Sequence, residues 1–513
     1  MMGALRFLKS LLALSVFLAG AALPLPAKTP VGGDLVVALG SAPATLDPFL
    51  ATDANGIRIS HQLIFETLLR LDDSLSIAPG LAQWRRISPT KYRFQVRKGH
   101  RFQNGASLDA RDVAFTLRHF MAKGTGSPYG AGLREKISRI VVLSAQDFEI
   151  TLNVPYASFL SDLILPVVSR GDKGRTESGS WLNGSGPYRL ARRSVGEIVL
   201  ERNPYARPRP GIARVVLKVI KDESTRLLKF RKGDIHLGIN VLPLDKLAWF
   251  KRKPLARVYR LVEAPGLSFQ YLGFNMRDPI LSKPEVRQAL AQAINVDLLI
   301  TYRQKGHSVR ATGLFPAGSP FADGSLRPHS YDPAKAARLL NQAGYPLKDG
   351  RRFSLVYKTS TDRSSINRAR IIAGDLKKVG VIVEVRSLEW ATFYEDIKKG
   401  NFQLYSLRWI GVSDPGFLFE LLHSKKFPPA GRNRGRYVSA GMDALLEKAR
   451  LEADPARRKR LYRLVSRRVH TDLPYLSLWH NNNVAVVHRA LSGFLLHPSG
   501  GFEHLAAMTW KRP

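Results

Sequence analysis

The chain has 513 residues, with 79 Lys and Arg against 41 Asp and Glu, a formal charge of +38 and a pI near 10.6. That length allows two or three domains with ample core, and 44% hydrophobic with 23% charged residues is ordinary globular composition. There is no cysteine, which excludes disulfide frameworks, thiolate catalysis, zinc ribbons and iron–sulfur clusters.

The N-terminus reads as a targeting segment. Met1 to Lys9 carries Arg6 and Lys9 and no acid, Leu11 to Leu23 is apolar, and Ala19-Gly20-Ala21 and Leu25-Pro26-Ala27 offer small-residue cleavage sites. The apolar run makes ~20 Å of helix, short of a ~30 Å hydrocarbon core. Residues 1–27 are therefore expected to be a cleaved signal peptide, placing the mature protein in the periplasm. Without a cysteine after the run, a lipid anchor on that residue is excluded. The basic clusters Lys251-Arg252-Lys253, Arg432 to Arg436, Arg457 to Arg460 and Arg467-Arg468 are scattered, and no basic tail exists. Together with export, this argues against a nucleic-acid partner. An acidic habitat, where Lys and Arg keep their charge, or an anionic ligand or membrane surface would account for the +38; the sequence leaves these open.

In chain order, Gly33 to Leu39 is a short apolar strand closed by Gly40. Ile59 to Leu69 has helical apolar spacing, and Tyr92 to Arg97 alternates as a half-buried strand. Phe102-Gln103-Asn104-Gly105 is a turn, and Asp109 with Asp112 marks a helix start before Val113 to Phe120. Val215 to Ile220 reads as a strand, Ser224 to Phe230 as a helix, and Gly233-Asp234-Ile235 as the start of another strand. Pro284 to Ile294 is a helix with proline in its first turn. Asp332-Pro333 opens a second, ended by Gly344, and a third containing Asp375 to Val379 is ended by Gly380 before the strand Val381 to Val385. Asp454-Pro455 opens a basic helix to Val469. The alternation reads as α/β with mixed sheets. No internal repeat or Gly-, Ser- or Pro-rich linker is visible. H-E-x-x-H, G-x-S-x-G and Walker A motifs are missing, and His480 and His488 read as strand residues rather than metal ligands.

Five ordered blocks carry a family resemblance. They are Gly33 to Leu39 with Thr45-Leu46-Asp47-Pro48; Phe94 to Phe120; Gly184-Ser185-Gly186-Pro187-Tyr188 with Leu200 to Pro204; Tyr271-Leu272-Gly273-Phe274-Asn275 with Val286 to Leu290; and Tyr331-Asp332-Pro333 to Ala343-Gly344-Tyr345. In these the chain resembles the extracytoplasmic solute-binding proteins of ABC importers, in the dipeptide/oligopeptide/nickel-binding family. The resemblance implies a two-lobed periplasmic-binding-protein fold with mixed sheets, a hinge between lobes and a central cleft. It implies lobe I at 28–272 with an inserted subdomain at about 64–184, lobe II at 273–484, and a return of 485–513 to lobe I. The crossing segments are expected near Tyr271–Asn275 and Trp479–Val487. The implied function is capture of a peptide or peptide-like solute by hinge closure and delivery to a membrane permease, by a monomer, without catalysis or cofactor. The same scaffold also serves oligosaccharides, opines and metal chelates; a peptide-processing hydrolase is the remaining alternative.

For the site, the resemblance points to Trp390, Trp409 and Asn275 in the cleft, with Arg408, Arg432 and Arg434 as partners for a ligand carboxylate. Peptide-binding members carry Trp-x-x-Asp, whose carboxylate pairs the peptide ammonium. Here Trp409-Ile410-Gly411-Val412 replaces it, and Asp414, before Pro415, is either a displaced anchor or a turn aspartate.

Overall fold

The computed structural model describes residues 33–171 and 181–511; the expected signal peptide, 1–27, lies outside them. Local chemistry sets most element boundaries. Asp109 caps the helix Ala110–Met121 by accepting from the Arg111 amide at 2.8 Å, and Asp112 reaches back to the Asp109 amide at 2.9 Å, closing a capping box. Asp332 and Asp454 cap Pro333–Gln342 and Pro455–Asp472 by accepting from the Lys335 and Arg457 amides, without a reciprocal acid, each helix with proline in its first turn. The helical spacing of Ile59 to Leu69 is misleading. The helix spans Ala54–Ile59, capped by Asp53, widens into one π-turn at Ser60–Ile64 and stops. Thr67 then bridges to Pro166 and Leu69–Leu71 pairs with Ile77–Pro79. The apolar residues Phe65, Leu68 and Leu69 are buried there by extended chain rather than by a helix face. The strand expected from Gly233 begins later, at Leu237–Ile239.

One mixed sheet runs through the described residues. Its order is Val381–Leu388, Phe353–Ser360, Leu404–Trp409, Tyr259–Phe274, Tyr475–His488, Leu237–Ile239, Leu35–Leu39, Arg214–Val219, Glu197–Arg202 and Tyr188–Ser194, with Ser308–Arg310 added beside Tyr475–His488. A separate four-stranded antiparallel sheet, ordered Ala82–Ser88, Lys91–Val96, Asp147–Leu152 and Ile137–Val142, packs with Ala110–Met121.

The two long strands, Tyr259–Phe274 and Tyr475–His488, pair antiparallel over nearly their whole length. The ladder breaks near the middle, between Pro265 and Ser268, opposite Asn482 and Asn481, and slips again by one residue between Gln270 and Tyr271. The local sequence explains the break. Pro265 has no amide hydrogen to donate, and proline inside a sheet is confined to edges and bulges. A Cβ on Gly266 would sit 2.6 Å from the Asn481 carbonyl oxygen, so only glycine fits. On one side of the break the core joins residues from Leu35 to Val168, Tyr188 to Ile239 and Ala485 to Met508. On the other, two clusters are built from residues between Phe269 and Trp479. Tyr271–Asn275 lies wholly on this second side, where Tyr271–Phe274 pairs with Leu404–Leu407. Among the described residues no helix is long and apolar enough to cross a membrane.

His480 sits next to the break, buried, with its ring nitrogen 3.1 Å from the Gly313 carbonyl oxygen. Burial pushes its pKa down to about 4 against an ordinary 6.5. The folded state therefore keeps it neutral while the unfolded chain takes up a proton as pH falls through 6.5. Stability from this group is full above 6.5 and is lost towards pH 4. The stability advantage of wild type over His480→Gln, from denaturant unfolding at several pH values, should shrink by about 1 kcal/mol per pH unit across that window. A pH-independent difference would contradict a neutral, buried imidazole.

Candidate ligand-binding cleft

Where the ladder breaks, both bodies contribute walls to a cavity of about 830 Å³, within the range of small-molecule sites. The first body supplies Arg58, on Ala54–Ile59, and Asn240 with Leu242 and Leu244 just after Leu237–Ile239. The second supplies Arg303, Arg368 on the helix Arg363–Lys377, Trp390 at the start of Trp390–Lys399, and Arg408 on Leu404–Trp409. Trp479 and Asn481–Asn483 run along the crossing strand itself.

Several polar atoms of this lining are shielded and have no hydrogen-bond partner among the described residues: Arg303 Nε, Arg368 Nε, Trp479 Nε1, Ser268 Oγ, and the Oδ1 atoms of Asn481 and Asn482. Buried polar groups are normally satisfied, so this wall has hydrogen-bonding capacity for a guest. The lining carries four arginines and one carboxylate, Asp362, whose Oδ2 accepts from the Ser365 amide at 2.8 Å as a helix cap. Enclosure in the cavity, and then the nearby Arg368 guanidinium, lower the Arg408 pKa.

Of the residues expected from sequence, Arg408 and Trp390 line this cavity and Trp409, Asp414, Asn275 and Arg434 lie away from its lining. Strand alternation separates the first pair of neighbours. In Leu404–Trp409, Leu404, Ser406 and Arg408 share one face, whereas Tyr405 and Trp409 enter the core cluster on the other. Trp409 there stacks on Tyr271 with ring centroids 6.1 Å apart. Arg434 lies 4.3 Å above the Trp409 ring and donates to the hydroxyls of Tyr271 and Tyr394, each at 3.0 Å. Arg432 flanks the same ring at 5.7 Å. Asn275 donates to the carbonyl oxygens of Gly400 and Phe402 at 3.0 and 2.7 Å and accepts from the Arg277 amide.

Asp414 is engaged across the two bodies. Its Oδ1 accepts from Ser158 Oγ at 2.5 Å and the Gly416 amide at 2.7 Å, and its Oδ2 accepts from Ser161 Oγ at 2.7 Å. Arg458 stands 3.5 Å away. Nearby, the Ala157 amide donates to the Arg450 carbonyl oxygen at 3.0 Å, and the Arg450 guanidinium lies 5.3 Å from the Tyr156 ring centre. This seam joins the two bodies a second time.

A model of the bacterial extracellular solute-binding proteins, family 5, matches residues 76–428, more than half of the chain. The chain belongs to that family. Family 5 relatives include the dipeptide-binding protein of Escherichia coli K12, 27% identical over 505 residues, covering 91% of this chain and 92% of that one. Another is the di/tripeptide-binding protein 2 of Pseudomonas aeruginosa, 26% identical over 530 residues, covering 96% and 97%. The structure of HbpA2 from Haemophilus parasuis superposes with a TM-score of 0.84 at 24% identity, over 94% of this chain and all of that one. The two-lobed periplasmic-binding-protein fold expected from sequence is the fold observed.

Sequence reasoning missed Arg58, Arg303, Arg368 and Asp362. Nothing marks single arginines in a chain with 79 basic residues. The run Asn481-Asn482-Asn483 in a mostly apolar strand was a usable signal that the strand leaves the core there, although each amide also bonds within the fold.

Arg434 should behave as a packing post. Arg434→Leu leaves two tyrosine hydroxyls short of a donor and removes a cation from above Trp409. Urea unfolding should show a loss of about 2 kcal/mol. Unchanged stability with abolished solute binding would instead make Arg434 a ligand contact.

Proposed function

We propose that this protein is the extracytoplasmic receptor of an ABC importer, exported with removal of residues 1–27. It takes a peptide or peptide-like solute into the cleft between its lobes and presents the closed form to membrane permease subunits. The observation that carries this reading is the cavity of about 830 Å³ walled by both bodies at the Pro265–Ser268 break in the ladder joining them. A ligand touching both walls gains contacts only when the bodies approach, and so shifts the equilibrium towards closure. The peptide class draws support from the names of the Escherichia coli and Pseudomonas aeruginosa relatives. The unpartnered Trp479 Nε1 and the Asn481 and Asn482 Oδ1 atoms fit it too, since they suit the alternating donors and acceptors of an amide chain. In this reading lobe I, with the subdomain at about 64–184, runs from 28 to the flexing point rather than to 272, lobe II follows it and ends at Asn481–Asn482 rather than at 484, and the chain then returns to lobe I. The flexing point lies at Pro265–Ser268 and Asn481–Asn482. The protein acts as a monomer and binds without chemistry.

Asp414 holds the seam in this reading and leaves the ligand's ammonium alone. Asp414→Ala removes the acceptor for Ser158, Ser161 and the Gly416 amide, at a cost of about 1–2 kcal/mol in the closed state. Calorimetry with a dipeptide and its N-acetylated form should show both weakened by a similar factor, about five- to thirtyfold. Loss confined to the free-amine peptide would make Asp414 the ammonium anchor.

A further inference from the structure

Elsewhere in this chain several arginines pair carboxylates, Arg467 with Asp323 at 2.7 Å, Arg310 with Asp297 at 2.8 Å and Arg93 with Glu149 at 2.6 Å, and the buried Arg226 and Arg287 donate to backbone carbonyl oxygens. The cleft arginines break that pattern. Arg303, Arg368 and Arg408 have no carboxylate within ion-pair distance among the described residues, and the Nε atoms of Arg303 and Arg368 are shielded without any acceptor. Arg368 donates only to a neutral group, Ser365 Oγ at 3.1 Å. Arg58 faces them from the other lobe, its ring partner Phe502 5.7 Å away. Arg303 and Arg368 are half-buried and Arg408 is open to the cavity; a guanidinium partly withdrawn from water without an anion is costly, and its planar fork matches a carboxylate through two parallel hydrogen bonds. Asp362 is the one carboxylate in the cavity lining and already caps a helix; Glu503 acts on Arg58 from outside the lining, with its Oε1 taken by Gln62 and Ser499.

We propose that the cleft is built for an anionic solute: a peptide or peptide-like molecule bearing two or more carboxylates, which engage Arg368 and Arg408 on lobe II and draw Arg58 of lobe I onto the same ligand. This rests on reading the cleft as the receptor site and specifies its ligand. Closure over an empty or neutral guest brings like charges from opposite walls together. An anion removes that repulsion, so charge selects the ligand at the closing step as well as at contact.

The test is calorimetry on the full mature chain with Glu-Glu, Ala-Ala and Lys-Lys, and with citrate as a carboxylate-rich molecule that is not a peptide, at low and moderate salt. Glu-Glu should bind at least about tenfold tighter than Ala-Ala, lose that preference as salt rises, and leave Lys-Lys unbound. Arg408→Gln and, separately, Arg368→Gln should each reduce the preference by about tenfold with melting temperatures held near wild type; Arg303→Gln provides a third variant should either fail to fold. Equal affinity for Glu-Glu and Ala-Ala, or a preference unmoved in all folded variants, would overturn the charge proposal and leave the peptide reading intact. Tight citrate binding with no peptide bound would do the reverse. No binding of any of the four would refute both.

Discussion

The antiparallel pairing of Tyr259–Phe274 with Tyr475–His488 is the constraint on which the rest of the molecule depends. Each strand begins or ends in one body and finishes in the other, so every backbone hydrogen bond in this ladder fixes the relative position of two cores. A continuous ladder would make one rigid slab. After Pro265, Gly266 and Leu267 have no partner opposite, a bulge that concentrates twist and bending at one point. The cavity forms where the ladder is weakest, and Asn481–Asn483 of the partner strand lie along it.

The second join, around Asp414, opposes free motion at that point. Two serines from one body and a carboxylate and an arginine from the other meet far from the bulge in sequence. A weak polar seam of this kind suits a receptor, because a stability difference of a few kcal/mol between arrangements is all that a ligand can overcome. The high positive charge of the chain takes on a local meaning here. Buried histidines such as His61 and His480, both held neutral with pKa values near 4 by burial, fit an acidic habitat poorly. A cleft with four arginines gives the excess charge a use at neutral pH.

Much of the fold was legible because its signals are local. Asp109 with Asp112, and Asp before Pro at 332 and 454, set helix starts through hydrogen bonds within four residues. Ile59–Leu69 failed because buried extended chain and an apolar helix face place similar residues at similar spacing over so short a stretch. The site was less legible. Arg408 and Trp409 were both expected in the cleft, yet neighbours on a strand must face opposite ways, and that rule was available in Leu-Tyr-Ser-Leu-Arg-Trp itself. The partners of Asp414, by contrast, lie 253 and 256 residues away, and no local pattern announces such a contact.

The central claim is that the bodies move about the broken ladder and that ligand draws them together. The native chain has no cysteine, so two can be introduced without background labelling. Val195 and Leu347, both exposed, lie near opposite ends of the long sheet, one in the turn after Tyr188–Ser194 and the other shortly before Phe353–Ser360. Spin labels there, read by pulsed dipolar spectroscopy, should give a broad distance distribution in the free protein that narrows and shifts to shorter distance with saturating Glu-Glu. Superimposable distributions, with binding of the same peptide confirmed by calorimetry, would contradict closure about the Pro265–Ser268 break.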